Sequence, residues 1–262
     1  MIEILAVVLA SIAGIWDLKT TEVPDDIPYL MTVIGLVYWF FTGVSSGNMQ
    51  PFFVSLLTGT VVLFIGLALY AKGKWGGADA WILAAIIYMV PVYAGKLILV
   101  DYVVNFLIVS LVYMALYTIL LGIKHHIFGK FFAELKKNAT LVIGIPLAYM
   151  GFSLLFVLYT GFASALQLLT ATFVFILLMM LFWVYAKVIE KNVFIRRIST
   201  NQLKKGDVLF ETKWVGITEK ELALLRNKKQ FVTIKDGVRF VPVFPITLVV
   251  TLVWGNLLFL ML

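Results

Sequence analysis

The 262-residue sequence contains no cysteine and only two histidines, the adjacent His125 and His126. The lack of cysteine excludes disulfides, thiolate nucleophiles and cysteine-ligated zinc. Two neighbouring imidazoles are a poor basis for a histidine metal site, so no metal is expected. Charge is also scarce: Asp, Glu, Lys and Arg make up 13% of the chain, against 62% hydrophobic residues. A soluble domain of this length cannot hide that much apolar surface. A basic n-region is missing too. Glu3 is acidic and no small-residue cleavage site follows the first apolar run, so the first segment reads as a retained helix.

What the chain does contain is long apolar runs, with a mean hydropathy of +1.02. Eight hydrophobic segments are recognisable, at 2–16, 27–42, 51–71, 78–93, 97–123, 139–159, 163–186 and 242–262. They do not alternate, which excludes a transmembrane β-barrel. The predicted fold class is an all-α polytopic membrane protein, with a small cytoplasmic α+β region before the last helix. The first, second and fourth segments fall short of the roughly 20 residues a bilayer requires, giving six to eight full spans. No internal repeat is present.

The connecting segments alternate in charge. The stretch 42–50 is uncharged, Lys72 and Lys74 follow the third segment, and 124–138 holds Lys124, Lys130, Lys136 and Lys137 against Glu134. The positive-inside rule places the basic connections in the cytoplasm and the N-terminus outside, with Lys96 as a mild exception. The loop carrying Asp17 to Asp26 then falls on the cytoplasmic side. The expected location is the cytoplasmic membrane.

Three regions follow: a membrane helical domain over 1–186, a basic cytoplasmic region over 187–241 and a last helix over 242–262. The middle region holds 13 of the 21 Lys and Arg but 6 of the 14 acids, and so carries the whole excess of +7. Thr218 and Glu221 form a capping box ahead of a helix to about Arg226. "TIKDGVRFV" alternates around Asp236-Gly237 and predicts a hairpin, and "DVLFE" predicts a further strand. The positive charge suits a solvated face near anionic lipid. Nothing points to nucleic acid.

Outside that region the acids are Glu3, Asp17, Glu22, Asp25, Asp26, Asp79, Asp101 and Glu134. An ionisable side chain at membrane depth is costly and marks function by default. Asp17 follows a first segment too short to span, and so sits at or just inside the cytoplasmic boundary. Pro24 and Pro28 favour a turn before the second segment. Asp79 opens the short fourth segment behind Gly76 and Gly77, which permit unusual backbone angles and close approach of other chains. Asp79 also fits an ordinary helix N-cap, and Asp17 a juxtamembrane acid paired with Lys19. Two carboxylates brought together would instead share a proton. One then activates a water while the other donates a hydrogen bond to the carbonyl under attack, which cleaves an amide without Ser, Cys, metal or cofactor.

Asp17-Leu18-Lys19-Thr20-Thr21-Glu22-Val23-Pro24-Asp25 resembles the D-x6-P-D stretch that follows a transmembrane helix in type IV prepilin peptidases. Gly76-Gly77-Ala78-Asp79 resembles their G-x-G-D motif in its looser form. The combination is most similar to the archaeal preflagellin peptidase branch of the GxGD aspartyl proteases, over roughly the first four segments. The resemblance implies Asp17 and Asp79 as the catalytic pair, with Gly76, Gly77 and Ala78 as the motif leading into Asp79; the Gly76-Gly77 pair is expected to act as a hinge for the Asp79 loop. It implies an intramembrane protease that removes short basic leaders from preflagellin or type IV pilin-like precursors at the cytoplasmic interface. The partners expected are therefore a membrane-protein substrate and the lipid bilayer, with the oligomeric state open.

Departures from the family pattern narrow the reading. Trp81 stands where bacterial prepilin peptidases usually carry Lys, and about ten residues without Cys replace their large early loop. Cleavage without N-methylation is expected. Presenilin-like relatives use Tyr-Asp and Pro-Ala-Leu motifs, whereas this chain has Trp16-Asp17 and no Pro-Ala-Leu. Glu22, Asp25 and Asp26 are candidate binding residues for the basic leader, although Pro-Asp-Asp is also good turn chemistry. Lys72 and Lys74 read as topological anchors, Trp75 and Trp81 as interfacial or packing aromatics, and Asp101 as a helix-end residue. The alternative is a cation- or proton-coupled transporter, whose ion path would also use membrane Asp residues beside short helices.

Overall fold

A computed structural model describes the chain except for residues 161–164, 205, 211–215, 229–230 and 262. Each of the eight hydrophobic segments is mainly helical over its described residues. In order the elements are α1 (Ile2–Thr20), α2 (Asp26–Ser46), α3 (Gln50–Ala71), α4 (Gly77–Met89), β1 (Val92–Tyr93), β2 (Lys96–Leu97), α5 (Ile98–Lys124), α6 (Phe128–Lys137), α7 (Ala139–Thr160), α8 (Ala165–Ile189), β3 (Ile195–Ser199), α9 (Glu219–Lys228), β4 (Phe231–Lys235), α10 (Val243–Trp254) and α11 (Leu257–Met261). Among the described residues five helices are long and apolar enough to cross a bilayer: α2, α3, α5, α7 and α8. The chain is a polytopic all-α membrane protein. Large apolar side chains such as Phe41, Leu57, Phe64 and Leu111 are exposed on these helices, as lipid contact demands.

The chain divides into two compact units, and the division falls within α5. One unit comprises Met1–Ala115, Glu211–Glu219 and Gly237–Leu262. Its centre is α4, in which every residue from Ala80 to Met89 except the partly exposed Trp81 is buried. The helix is all-round apolar because neighbours surround it. Small residues let those neighbours in. A Cβ on Gly35 of α2 would stand 2.6 Å from the Tyr88 carbonyl oxygen, one on Gly59 of α3 2.5 Å from the Tyr88 ring, and one on Gly66 2.7 Å from Ala80 Cβ.

At 13 residues, α4 is about 20 Å long and cannot cross a bilayer alone. Its last carbonyls must therefore be satisfied by protein. Ser55 Oγ donates to the Tyr88 carbonyl at 2.7 Å, and Trp39 Nε1 donates to the Met89 carbonyl at 3.0 Å. The Thr60 and Tyr88 hydroxyls also pair, at 2.8 Å. A tight hairpin, β1 paired with β2, then carries the chain on, with Ala94 and Gly95 both at positive φ.

The C-terminal hydrophobic segment departs from a single helix. It breaks at Gly255 (φ 69°, ψ −136°) between α10 and α11. Asn105 of α5 holds the break: its amide donates to Thr251 Oγ1 at 3.0 Å and to the Gly255 carbonyl at 2.6 Å, while its Oδ1 accepts the Leu257 N–H at 2.9 Å. Asp101 accepts the amide of Asn256 at 2.9 Å, one turn away on α5.

The other unit comprises Leu116–Phe210 and Lys220–Asp236. The basic connection over 124–138, read as a loop from sequence, contains the amphipathic α6. Phe131 of α6 packs edge-on against Tyr185 of α8, beside buried Ile127, Val188 and Ile189. Glu134 pairs with Lys187 at 3.2 Å and with Asn138, and these contacts hold its carboxyl below the usual carboxylate range. The capping-box helix is present as α9, and Arg226 on it donates to the carbonyls of Thr200 and Leu203. The Asp236-Gly237 hairpin is not formed. Instead β4 pairs antiparallel with β3, Ile195 opposite Lys235, and the Asp236 N–H is taken by the Phe194 carbonyl. Val208 to Phe210 run along the other edge of β4. Residue 211, the last of the expected "DVLFE" strand, lies outside the described residues.

Candidate active site

The first surprise of the site is that α1 does not stop before Asp17. Nothing in "IWDLKT" breaks a helix, so the turns continue until Thr21 adopts the left-handed conformation (φ 64°) and caps the Asp17 carbonyl. Asp17 thus lies in the last turn. The inward stripe of α1 is Ala6, Ala10, Ala13, Gly14 and Asp17, whereas Trp16, Lys19 and Thr20 face outward. Asp17 is 6% exposed. Its neighbour in space is not Lys19, from which it points away. It is the chain ahead of α10: the Val241 N–H donates to Asp17 Oδ2 at 3.1 Å, and the Arg239 guanidinium is the cation that acts on it.

Asp79 occupies the first turn of α4. Gly76 is the N-cap, at φ −74° and ψ 144°, an extended conformation open to any residue. Its lack of a side chain has a different cause from the unusual angles expected of it. The Asp79 carboxylate folds back over Gly76, and a Cβ there would stand 2.5 Å from Asp79 Oδ2. The Gly76 N–H faces that carboxylate. Gly77 is looser, since its Cβ would meet the Tyr70 ring at 3.4 Å. Ala78 is partly buried.

The two acids lie in one unit, on helices α1 and α4 that pack against each other. Asp17 is the charged group that acts on Asp79, although they belong to different helices. The same unit holds an aromatic cluster: Trp75 tilts over Phe106, which stacks on Phe244 at 5.4 Å and meets Phe240 edge-on at 5.8 Å. Trp81 packs edge-on against Tyr29 at 4.8 Å. Glu22, Asp25 and Asp26 are all exposed in the turn between α1 and α2. Asp25 sits at the N-cap position of α2 without a side-chain cap bond, and Asp26 opens the helix. Lys72 and Lys74 are exposed before the motif.

Sequence reasoning singled out both aspartates but gave no sign of Val241, which bonds Asp17, or of Pro242, which packs on Gly14, or of Arg239 beside them. A backbone donor leaves no trace in residue type, and Val241 is 224 positions from Asp17. The one available signal was that Arg239 is the last cation before an apolar helix.

Comparison with known proteins bears on this half of the chain. Residues 4–123 match the type IV leader peptidase family, a stretch that contains both aspartates and the Gly76–Asp79 motif. The chain is also 36% identical over 84 residues to a preflagellin peptidase of Methanococcus voltae. That similarity covers 32% of this chain and 35% of the relative's length. No solved structure matches.

Proposed function

We propose that this chain, whose residues 4–123 match the type IV leader peptidase family, is a membrane-embedded aspartyl endopeptidase. Its substrates are preflagellin or type IV pilin-like precursors. It cuts the short basic leader from the hydrophobic helix at the cytoplasmic face of the cell membrane. The observation that supports this reading is that Asp17, which is buried, and Asp79, which is partly buried, stand on separate helices of one unit, with the charge of Asp17 acting on Asp79.

The chemistry requires only these groups and water. One aspartate takes a proton from water as the oxygen attacks the scissile carbonyl, and its partner donates a hydrogen bond to the developing oxyanion. The tetrahedral adduct collapses, the C–N bond breaks, and the amine leaves with a proton from the pair. Fixing both carboxylates on helices supplies orientation in advance. The acidic turn at Glu22, Asp25 and Asp26 suits a basic leader, and the exposed apolar helices suit a substrate that arrives through the bilayer. No methyl transfer is included.

Mass analysis of the products tests this reading. A precursor with a basic leader and a hydrophobic helix should yield free leader and a mature chain with an unmethylated N-terminus. Internal cuts in the helix, or a methylated product, would contradict it.

A further inference from the structure

We propose that Arg239, Val241 and Pro242, ahead of the last hydrophobic segment, are positioning residues for the aspartate pair. The Val241 N–H holds the Asp17 carboxylate, and Arg239, two residues earlier, supplies a positive charge that acts on it. The inference rests on the aspartyl-peptidase reading and adds to it a segment that lies outside the matched residues 4–123.

The donor is built in rather than incidental. Val241 is 2% exposed, and its N–H reaches Asp17 Oδ2 at 3.1 Å. Pro242 has no N–H, so Val241 offers the last donor before α10 begins. Pro242 also seats against α1, where a Cβ on Gly14 would stand 3.1 Å from Pro242 Cα. The flanking residues lock the direction of the bond. The Tyr113 hydroxyl donates to the Arg239 carbonyl at 2.5 Å, and the Phe240 ring sits among Phe106, Tyr113 and Phe244. The Val241 carbonyl in turn accepts the Phe244 N–H, which starts the helix. Backbone held this firmly can orient a carboxylate without moving itself.

The consequence is chemical. With Oδ2 tied to Val241, Oδ1 is the oxygen left to Asp17 for a water molecule. A carboxylate whose orientation is held by a buried N–H meets water in one orientation, which favours the attack geometry. Without the segment, Asp17 would keep its place on α1 but lose its orientation.

The test uses the full chain in detergent with a leader-bearing precursor, and measures kcat, KM and the unfolding midpoint together. Arg239→Gln should lower kcat about tenfold with KM within about twofold. Arg239→Lys should recover most of that loss, because it restores the cation. Val241→Pro, which removes the N–H, should lower kcat by at least about tenfold. If that variant does not fold, the two Arg239 variants decide. Unchanged kcat in Arg239→Gln, equal loss in the Gln and Lys variants, or loss explained by a lowered midpoint overturns the inference while the peptidase reading stands. A wild type that does not cut, or Asp17→Asn and Asp79→Asn variants that do, overturns that reading and the inference with it.

Discussion

Gly76 and Asp79 share one space. The carboxylate of Asp79 lies over the α-carbon of Gly76, so close that an added Cβ would sit 2.5 Å from Oδ2. Gly76→Ala must push the acid out of position, while the backbone there, already extended, tolerates alanine. We expect kcat to fall by about 10- to 100-fold with the unfolding midpoint unchanged, since a displacement near 1 Å suffices for such a loss. Gly77→Ala meets only the edge of Tyr70 at 3.4 Å and should cost much less. Steady-state kinetics of the two variants side by side give the answer; equal effects would contradict it.

The short helix that carries Asp79 depends on its far end. The fully buried Ser55 donates a hydrogen bond to the Tyr88 carbonyl. Ser55→Ala should destabilise the protein by about 1 kcal/mol, the usual scale of a hydrogen bond inside a membrane protein. Gly59→Ala drives a methyl into the Tyr88 ring and should cost about 1–3 kcal/mol through overpacking. Thermal or denaturant unfolding in detergent reads both. A stable Gly59→Ala protein would mean that α3 and α4 are less closely packed than the structure shows.

Much of this arrangement can be read from the sequence, for identifiable reasons. Apolar runs near bilayer length report helices directly, and lone acids such as Asp17 and Asp79 stand out because hydrocarbon tolerates so few. Local signals fared worse where distant partners competed. Asp236-Gly237 has the chemistry of a hairpin turn, yet β4 pairs with β3, some forty residues earlier, and Val241 is drawn to Asp17 instead. In the same way Gly255 and Asn256 carry no strong break signal within an apolar run. The break becomes intelligible only with Asn105 in place. Gly76 stood out in the sequence for its freedom of backbone angle, whereas in the structure it is the Asp79 carboxylate over it that leaves no room for a side chain.

Asn105 makes a prediction of its own. Asn105→Leu matches the side chain in size but strands the Gly255 carbonyl and the Leu257 N–H, and deprives Thr251 of its donor. A loss of about 1–3 kcal/mol is expected, because these part-buried backbone groups and the buried Thr251 hydroxyl lose their partner. The unfolding midpoint measures it. A neutral result would show that water or lipid headgroups reach the break.

The acidic turn should act on binding rather than on chemistry. Replacing Glu22, Asp25 and Asp26 together by Gln, Asn and Asn removes three exposed charges. KM for a basic-leader precursor should rise several-fold, about in step with the effect of added salt on the wild type, because screening weakens exposed charges. The kcat should stay within about twofold. An effect confined to kcat would contradict electrostatic capture of the leader.

The most direct test is of the pair itself. The wild type, Asp17→Asn and Asp79→Asn should be purified in detergent, shown to unfold at similar temperatures, and given a precursor with a basic leader and a hydrophobic helix. The wild type should cut at the leader junction, and each Asn variant should lose activity by orders of magnitude, since neither acid can work alone. If both variants cut as well as the wild type, Asp17 and Asp79 are not the catalytic pair, and the aspartyl mechanism is wrong for this chain.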